Sequence, residues 1–214
     1  MARKPYLDEP EFVYRFMSKE EYVAPLLCGE IYLSTIGYCR RVEEDPGEGT
    51  YLYDTGTIEG DGSDPDFVKV AANAGIGIGP NAGPGLVRNN VQETYNYDAW
   101  VLCATLNPNG YCKEKFGPFG IRIAKPVEFF LAVTNSLKES RPLGACTIAG
   151  INYEPRESVG LLEIPEDMNF VKPAERFARE EELRMLWETP DGINKLESII
   201  VPCPEVRHLI SRLE

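Results

Sequence analysis

The segment Glu180–Trp187 sets Glu182, Arg184 and Leu186 on one side of a period-two pattern, and Glu181, Leu183, Met185 and Trp187 on the other. Side chains alternate faces along a strand, so the pattern predicts a strand even though the composition favours helix. The competing reading is a solvated, charged helix. As a strand, the segment points Glu180 and Glu182 the same way. Two carboxylates so placed resist double ionisation unless cations lie beside them.

Other segments fill in an α+β pattern. Residues 12–17, Phe-Val-Tyr-Arg-Phe-Met, read as a strand. Ser18 with Glu21 is a capping-box signature for a helix that carries Tyr22, Val23, Leu26 and Leu27, is interrupted by Pro25 and stops at Gly29. Glu30–Thr35 reads as a second strand, followed by a turn or short helix holding Gly37, Tyr38, Cys39, Arg40 and Arg41. Phe67–Ala72, Tyr95–Leu106, Phe119–Ala124 and Leu196–Val201 read as further strands, and Ala145–Tyr153 with Ser158–Leu162 as a strand pair. Lys125-Pro126 opens a helix in which Phe129, Phe130, Val133 and Leu137 share a face. Pro173–Phe177 reads as a helical turn and Pro204–Leu213 as a closing helix. Strands outnumber helices, and no repeat or linker divides residues 1–214, so a single domain is expected.

Residues 42–92 form an insertion that is first acidic, then Gly-rich. Val42–Asp66 has no Lys or Arg, and Gly and Pro punctuate it, which predicts a long surface loop. Its GDGSDPD stretch lacks the spacing and closing Glu of an EF-hand loop. Ala74–Gly85 looks like a dinucleotide fingerprint, but Pro80 and Pro84 break the helix that should follow, so a flexible loop is the expectation.

Composition closes several routes. Hydrophobic residues make up 43% of the chain, enough for a core and too many for global disorder. No apolar run is long enough to span a membrane and the N-terminus lacks a signal-peptide core, so a cytoplasmic protein without membrane partners is expected. The net charge of −12 argues against broad nucleic-acid binding, yet leaves room for a nucleic-acid substrate in a local basic cleft. The six cysteines form no CxxC pair and no zinc spacing, so they are read as small buried side chains, with no metal expected. The one histidine, His208, has no nucleophile motif beside it, and no GxSxG, Walker A or HExxH occurs. Chemistry in this chain must rest on carboxylates, hydroxyls and arginines.

Three segments can supply those groups. Arg15 sits inside an apolar strand between Tyr14 and Phe16, where a guanidinium needs a partner or an edge position. Ser34-Thr35 ends the next strand, able to cap a helix or to orient a ligand. Glu180 and Glu182 open the alternating segment.

The order of these pieces resembles the Arg–Ser–Glu class of ADP-ribosyltransferases. VYRFMSKEEYVAPLLCGEIYLST is also similar to the opening of nucleic-acid-modifying ADP-ribosyltransferase toxins. The whole chain looks distantly like an uncharacterised bacterial and phage family linked to abortive infection, which closes with a Lys, an aromatic and Glu-x-Glu-x-Arg; here these are Lys172, Phe177, Glu180, Glu182 and Arg184. The resemblance covers the first forty residues and residues 145–190 best. It implies a split β-sheet core with a few peripheral helices and long loops, and NAD as substrate. Glu182 would stabilise the oxocarbenium-like ribose and Glu180 would position the acceptor. Ser34 and Thr35 would orient Glu182 and contact the ribose. Arg15, or else Arg40, would pair with the phosphates, and Tyr14, Tyr32 or Tyr38 would stack on nicotinamide.

The leading expectation is therefore an NAD-dependent mono-ADP-ribosyltransferase (or NAD hydrolase) acting on a protein or nucleic acid, in the role of a toxin or phage-conflict effector. The alternative is a non-enzymatic nucleotide- or protein-binding module of the same fold, serving as inhibitor or adaptor with a partner protein; the acidic and Gly-rich insertion suits it. A third reading, a phage accessory protein with merely solvated charges, requires that no nucleotide-sized pocket exist.

Overall fold

A computed structural model of the chain describes residues 9–43, 50–54, 57–73, 76–88, 91–108, 110–154, 157–158, 167–193 and 195–213. In chain order it runs β1 (Phe12–Met17), a 3-10 turn (Glu20–Tyr22), α1 (Val23–Leu27), β2 (Glu30–Thr35) and α2 (Ile36–Val42). Then follow β3 (Thr50–Asp54), β4 (Thr57–Asp61), α3 (Pro65–Asn73), β5 (Pro84–Arg88) and β6 (Val91–Tyr95). The middle holds β7 (Trp100–Thr105), α4 (Tyr111–Phe116), β8 (Phe119–Ala124) and α5 (Pro126–Ser140). Next come β9 (Cys146–Gly150), β10 (Asn152–Tyr153), β11 (Glu157–Ser158), β12 (Val171–Lys172) and α6 (Ala174–Phe177). The chain closes with a 3-10 turn (Ala178–Glu180), β13 (Glu182–Trp187), β14 (Ile199–Pro202), a 3-10 helix (Pro204–Leu209) and β15 (Ile210–Arg212). Helix and strand are mixed around an antiparallel sheet. Among the described residues no helix is long and apolar enough to cross a membrane.

Eight strands form the main sheet. Its order is β14-β2-β7-β1-β8-β15, with β13 on the other edge of β7 and β9 beyond it. Every ladder in it is antiparallel. β13 pairs with β7 along its whole length, from Glu182↔Thr105 to Trp187↔Trp100. The alternation expected from sequence is present. Leu183, Met185 and Trp187 enter the main core with Leu102, Ile121 and Phe129, while Glu182 and Arg184 occupy the opposite face.

α5 covers the core face. Phe129, Phe130, Val133 and Leu137 are buried, at the three- and four-residue spacing that puts them on one side of a helix. Each such side chain contributes about 1.5–3 kcal/mol through burial. The indole Nε1 of Trp187 donates to Thr134 Oγ1 at 2.7 Å, and that hydroxyl donates to Phe130 O, also at 2.7 Å, so no polar group here is orphaned.

Several sequence expectations need correction. Phe67–Ala72 is not a strand but the middle of α3. Asp64 accepts from Asp66 N at 2.9 Å, Pro65 opens the first turn, and Phe67 and Ala71 bury one face. The 42–92 insertion is not simply loop: it contains β3 to β6 with α3, and β3 pairs with β6 while β4 pairs with β5. Its residues 44–49, 55–56, 74–75 and 89–90 lie outside the described ones. Ser18 does not cap a helix; a 3-10 turn begins at Glu20 with no side-chain cap. The segments at 145 and 158 do not pair with each other, since β9 joins β13, β10 joins β12 and β11 joins β3; residues 159–162 lie outside the described ones. Pro204–Leu213 is a 3-10 helix running into β15, which closes the sheet on β8.

Asp98, just before β7, ties three segments together. Its Oδ1 accepts from Gly37 N at 2.9 Å and Ala99 N at 3.0 Å, and its Oδ2 from Leu196 N at 2.8 Å. The side chain is buried, so Asp98→Ala leaves backbone donors unsatisfied. We expect a loss of roughly 2–3 kcal/mol in urea denaturation; a change within about 0.5 kcal/mol would mean that water replaces these bonds.

Candidate functional site

β7 is shared unevenly along one edge. β2 pairs with it only at Ser34↔Val101 and Thr35↔Trp100, and β1 only at Tyr14↔Thr105. Both run antiparallel to β7, so the rest of β1 and the rest of β2 compete for the same stretch of edge, Leu102–Ala104. Neither takes it. The sheet forks there, β1 continuing to β8 and β2 to β14. A cleft of about 250 Å³ lies at the fork, lined by β1, β2, β7 and β13 and roofed in part by α2 and α4. It sits just below the roughly 300–1,000 Å³ range of small-molecule sites, room for part of a dinucleotide.

The floor is a buried charge network. Lys172, 2% exposed, places its Nζ 2.9 Å from Glu182 Oε2, 3.2 Å from Glu180 Oε2 and 3.2 Å from Glu43 Oε2. Arg184, fully buried, donates from Nε to Glu182 Oε1 at 2.7 Å and from Nη1 to Asn169 O at 2.5 Å. Lys115 reaches Glu180 Oε1 at 2.5 Å and Glu43 Oε1 at 3.8 Å. The Phe177 ring lies beneath, 4.6 Å from Lys172 Nζ and 5.0 Å from Lys115 Nζ. Burial alone would raise the Glu182 carboxyl, but Arg184 and Lys172 outweigh it and hold the group well below the usual carboxylate range. Tyr153 Oη accepts from Glu182 N at 2.7 Å, and burial pushes its phenol well above the ordinary value.

Glu180 reaches this network by a route the sequence did not suggest. It is not in the strand. It ends a 3-10 turn, and Glu181 then takes a left-handed backbone (φ 45°) before β13 begins at Glu182. Strand alternation therefore does not relate the two carboxylates. Lys172 does, by bridging them.

Opposite the network, Arg15 and Ser34 are uncommitted. Ser34 lines the cleft and is 8% exposed, and its hydroxyl is buried without a hydrogen-bond partner among the described residues. Arg15 Nη1 is buried and equally unpartnered. Burial lowers the Arg15 guanidinium below its ordinary value, with Cys103, Cys39 and Tyr32 acting the other way. Cys103 is raised well above a free thiol, first by its hydrogen bond with Cys39, then by burial and by Glu182. Tyr32 and Tyr38 stand exposed at the mouth, beside Tyr14, Val42 and Phe116.

Of the residues singled out in the sequence, the cleft gathers Tyr14, Arg15, Tyr32, Ser34, Tyr38, Glu180 and Glu182. Thr35 and Arg40 are outside the lining. Thr35 is 2% exposed and its Oγ1 accepts from Tyr38 N at 3.1 Å, which makes it the N-cap of α2. Glu43, Cys103 and Phe116 are cleft residues that sequence reasoning did not reach, as is Lys115, which lies outside the lining but pairs with Glu180 and Glu43. Among the described residues no group of His, Cys, Asp and Glu is gathered as a metal site. The cysteines are free, and of the six expected to be buried Cys112 and Cys203 are, while Cys39, Cys103 and Cys146 are half-buried and Cys28 is exposed. No known protein family matches this chain, and no curated protein or solved structure is detectably similar to it.

Two outcomes follow. Lys172→Met leaves three carboxylates facing one another and should cost about 3–5 kcal/mol by urea denaturation; a smaller loss, under about 1 kcal/mol, would show that water enters the floor. Because the folded Glu182 carboxyl lies below its ordinary value of 4.5, its contribution is complete above that pH and fades as pH falls towards the folded value. Glu182→Gln should therefore flatten the acid limb of the stability profile. Parallel limbs for variant and wild type would contradict this.

Proposed function

We propose that the chain is an NAD-dependent mono-ADP-ribosyltransferase whose site is the forked cleft. One observation carries the reading: Arg15 of β1, Ser34 of β2 and Glu182 of β13, remote in sequence, line a single opening. Under this reading the fork corresponds to the split sheet that the sequence resemblance implies. A guanidinium nitrogen, Arg15 Nη1, and a hydroxyl, Ser34 Oγ, both buried and without partners among the described residues, suit a ligand that brings acceptors and donors of its own. The diphosphate of NAD pairs with Arg15, and the nicotinamide ribose lies between Ser34 and Glu182.

The chemistry then needs only groups already in place. The bond between ribose C1′ and the nicotinamide nitrogen breaks, and its electron pair leaves with the ring, which becomes neutral nicotinamide. Positive charge grows on the ribose, and the ionised Glu182 stabilises it and accepts from a ribose hydroxyl. The acceptor bonds to C1′ and gives its proton to solvent. Glu180, joined to Glu182 through Lys172, faces the acceptor side.

The pairing of Glu182 favours a second reading. Arg184 and Lys172 neutralise both of its oxygens, which lowers what it offers to a developing cation. A cleft of this kind also suits a non-enzymatic nucleotide-binding module.

Labelled NAD separates the two. The transferase releases nicotinamide, Glu182→Gln lowers that rate by roughly a thousandfold, the scale of a lost transition-state contact, and Arg15→Ala raises the NAD concentration needed. Tight NAD binding without nicotinamide release under any acceptor would establish the binding module. Absence of NAD binding would contradict both.

A further inference from the structure

The charge of the cleft region is opposite to that of the chain. Arg15 together with residues 36–43, 111–116 and 172–184 carries nine Lys and Arg against six Asp and Glu, in a chain with 22 and 34. Some of those cations form the floor. Four others, Arg41, Lys113, Arg176 and Arg179, are exposed, lie outside the cleft lining and have no ion-pair partner among the described residues. Arg41, Lys113 and Arg179 sit on α2, α4 and the 3-10 turn Ala178–Glu180, each of which also contributes lining residues, and Arg176 sits on α6 just before that turn. α2 and α6 meet through Arg176, which donates to Glu43 O at 2.9 Å, and Lys115 ties α4 to the same Glu43.

Aromatic rings are interleaved with these cations. The Arg41 guanidinium carbon is 5.8 Å from the Tyr38 ring centre, that of Arg179 4.4 Å from Tyr111, and Lys115 Nζ 5.1 Å from Phe116. Tyr38 and Phe116 also line the cleft, while Tyr111 lies beyond it, so the pattern extends past the space available to one small ligand. Alternating cations and rings, Tyr38 and Phe116 exposed and Tyr111 half-buried, match a ligand that alternates phosphates with bases. A duplex hides its ring faces, and an acidic peptide offers charge without rings.

We propose that this rim binds single-stranded nucleic acid and leads one nucleotide towards the cleft. The inference deepens the transferase reading by naming the acceptor class, and it rests on that reading only for the acceptor's fate; the binding itself does not. Phosphates meet Arg41, Lys113, Arg176 and Arg179, and bases stack at Tyr38, Tyr111 and Phe116. The strongly acidic remainder of the chain repels any polyanion that does not engage this one face, which confines binding to the mouth.

Fluorescence anisotropy with short labelled single-stranded RNA and DNA of mixed sequence tests it, without NAD present. Both should bind, more weakly as salt rises, and duplex and polyglutamate should bind far less. The double variant Arg41→Ala/Arg179→Ala should lose roughly tenfold or more in affinity, as removal of phosphate contacts predicts, and Lys113→Glu, at an exposed position, should weaken binding as well. Circular dichroism of these surface variants should match the wild type, and nicotinamide release to water should not change in them. Equal binding of polyglutamate would make the rim an acidic-protein surface and overturn the proposal, as would absence of single-strand binding or indifference to both variants. Nucleic-acid binding without nicotinamide release would contradict the transferase alone.

Discussion

An ammonium group buried to the extent of Lys172 stays charged only if anions surround it. Three carboxylates do so, from the end of α2, from the 3-10 turn after α6 and from the first residue of β13. The same pairing offsets the mutual repulsion of those carboxylates, and it fixes where three elements meet. The Phe177 ring below lets the cluster sit on an apolar base. Replacing the cluster by hydrocarbon would be an equally good way to fill the space, so its presence is better explained by what it presents than by stability.

What it presents is a rigid, ionised wall at the fork of the sheet. Because β1 and β2 both give up the same length of β7, the opening between them is bounded by backbone that the rest of the sheet holds in register. Arg15 and Ser34 enter from the two diverging strands and Glu182 from the continuous one. The cleft is thus preorganised by topology on one side and by electrostatics on the other. That combination places uncommitted donors opposite a fixed carboxylate in a chain whose overall charge is −12.

The part of this legible in sequence was the part governed by short-range pattern. The alternation of Leu183, Met185 and Trp187 identified β13, and the spacing of Phe129, Val133 and Leu137 identified α5, because burial imposes those periods. Arg15 and Ser34 drew notice through residue type in an apolar strand. Thr35 left two roles open from sequence, and the structure uses its hydroxyl as a helix cap. Glu180, Glu181 and Glu182 are identical letters, and only the left-handed turn at Glu181 separates their roles. The burial of Lys172 was not legible, since lysine is usually exposed and its partner Glu43 is 129 residues away. α3 was missed because a short run of Phe, Val and Ala was read by its branching rather than by Asp64 and Pro65 at its start.

The most direct test of the central claim is a crystal structure of the intact chain with an unreactive NAD analogue, in which a carbon–carbon bond replaces the scissile carbon–nitrogen bond. The account predicts the diphosphate on the Arg15 guanidinium and the adjoining ribose between the Ser34 hydroxyl and the Glu182 carboxylate, with the Lys172 contacts retained. An analogue seated away from the fork, or one in the cleft that leaves Arg15 and Ser34 without contact, would contradict it.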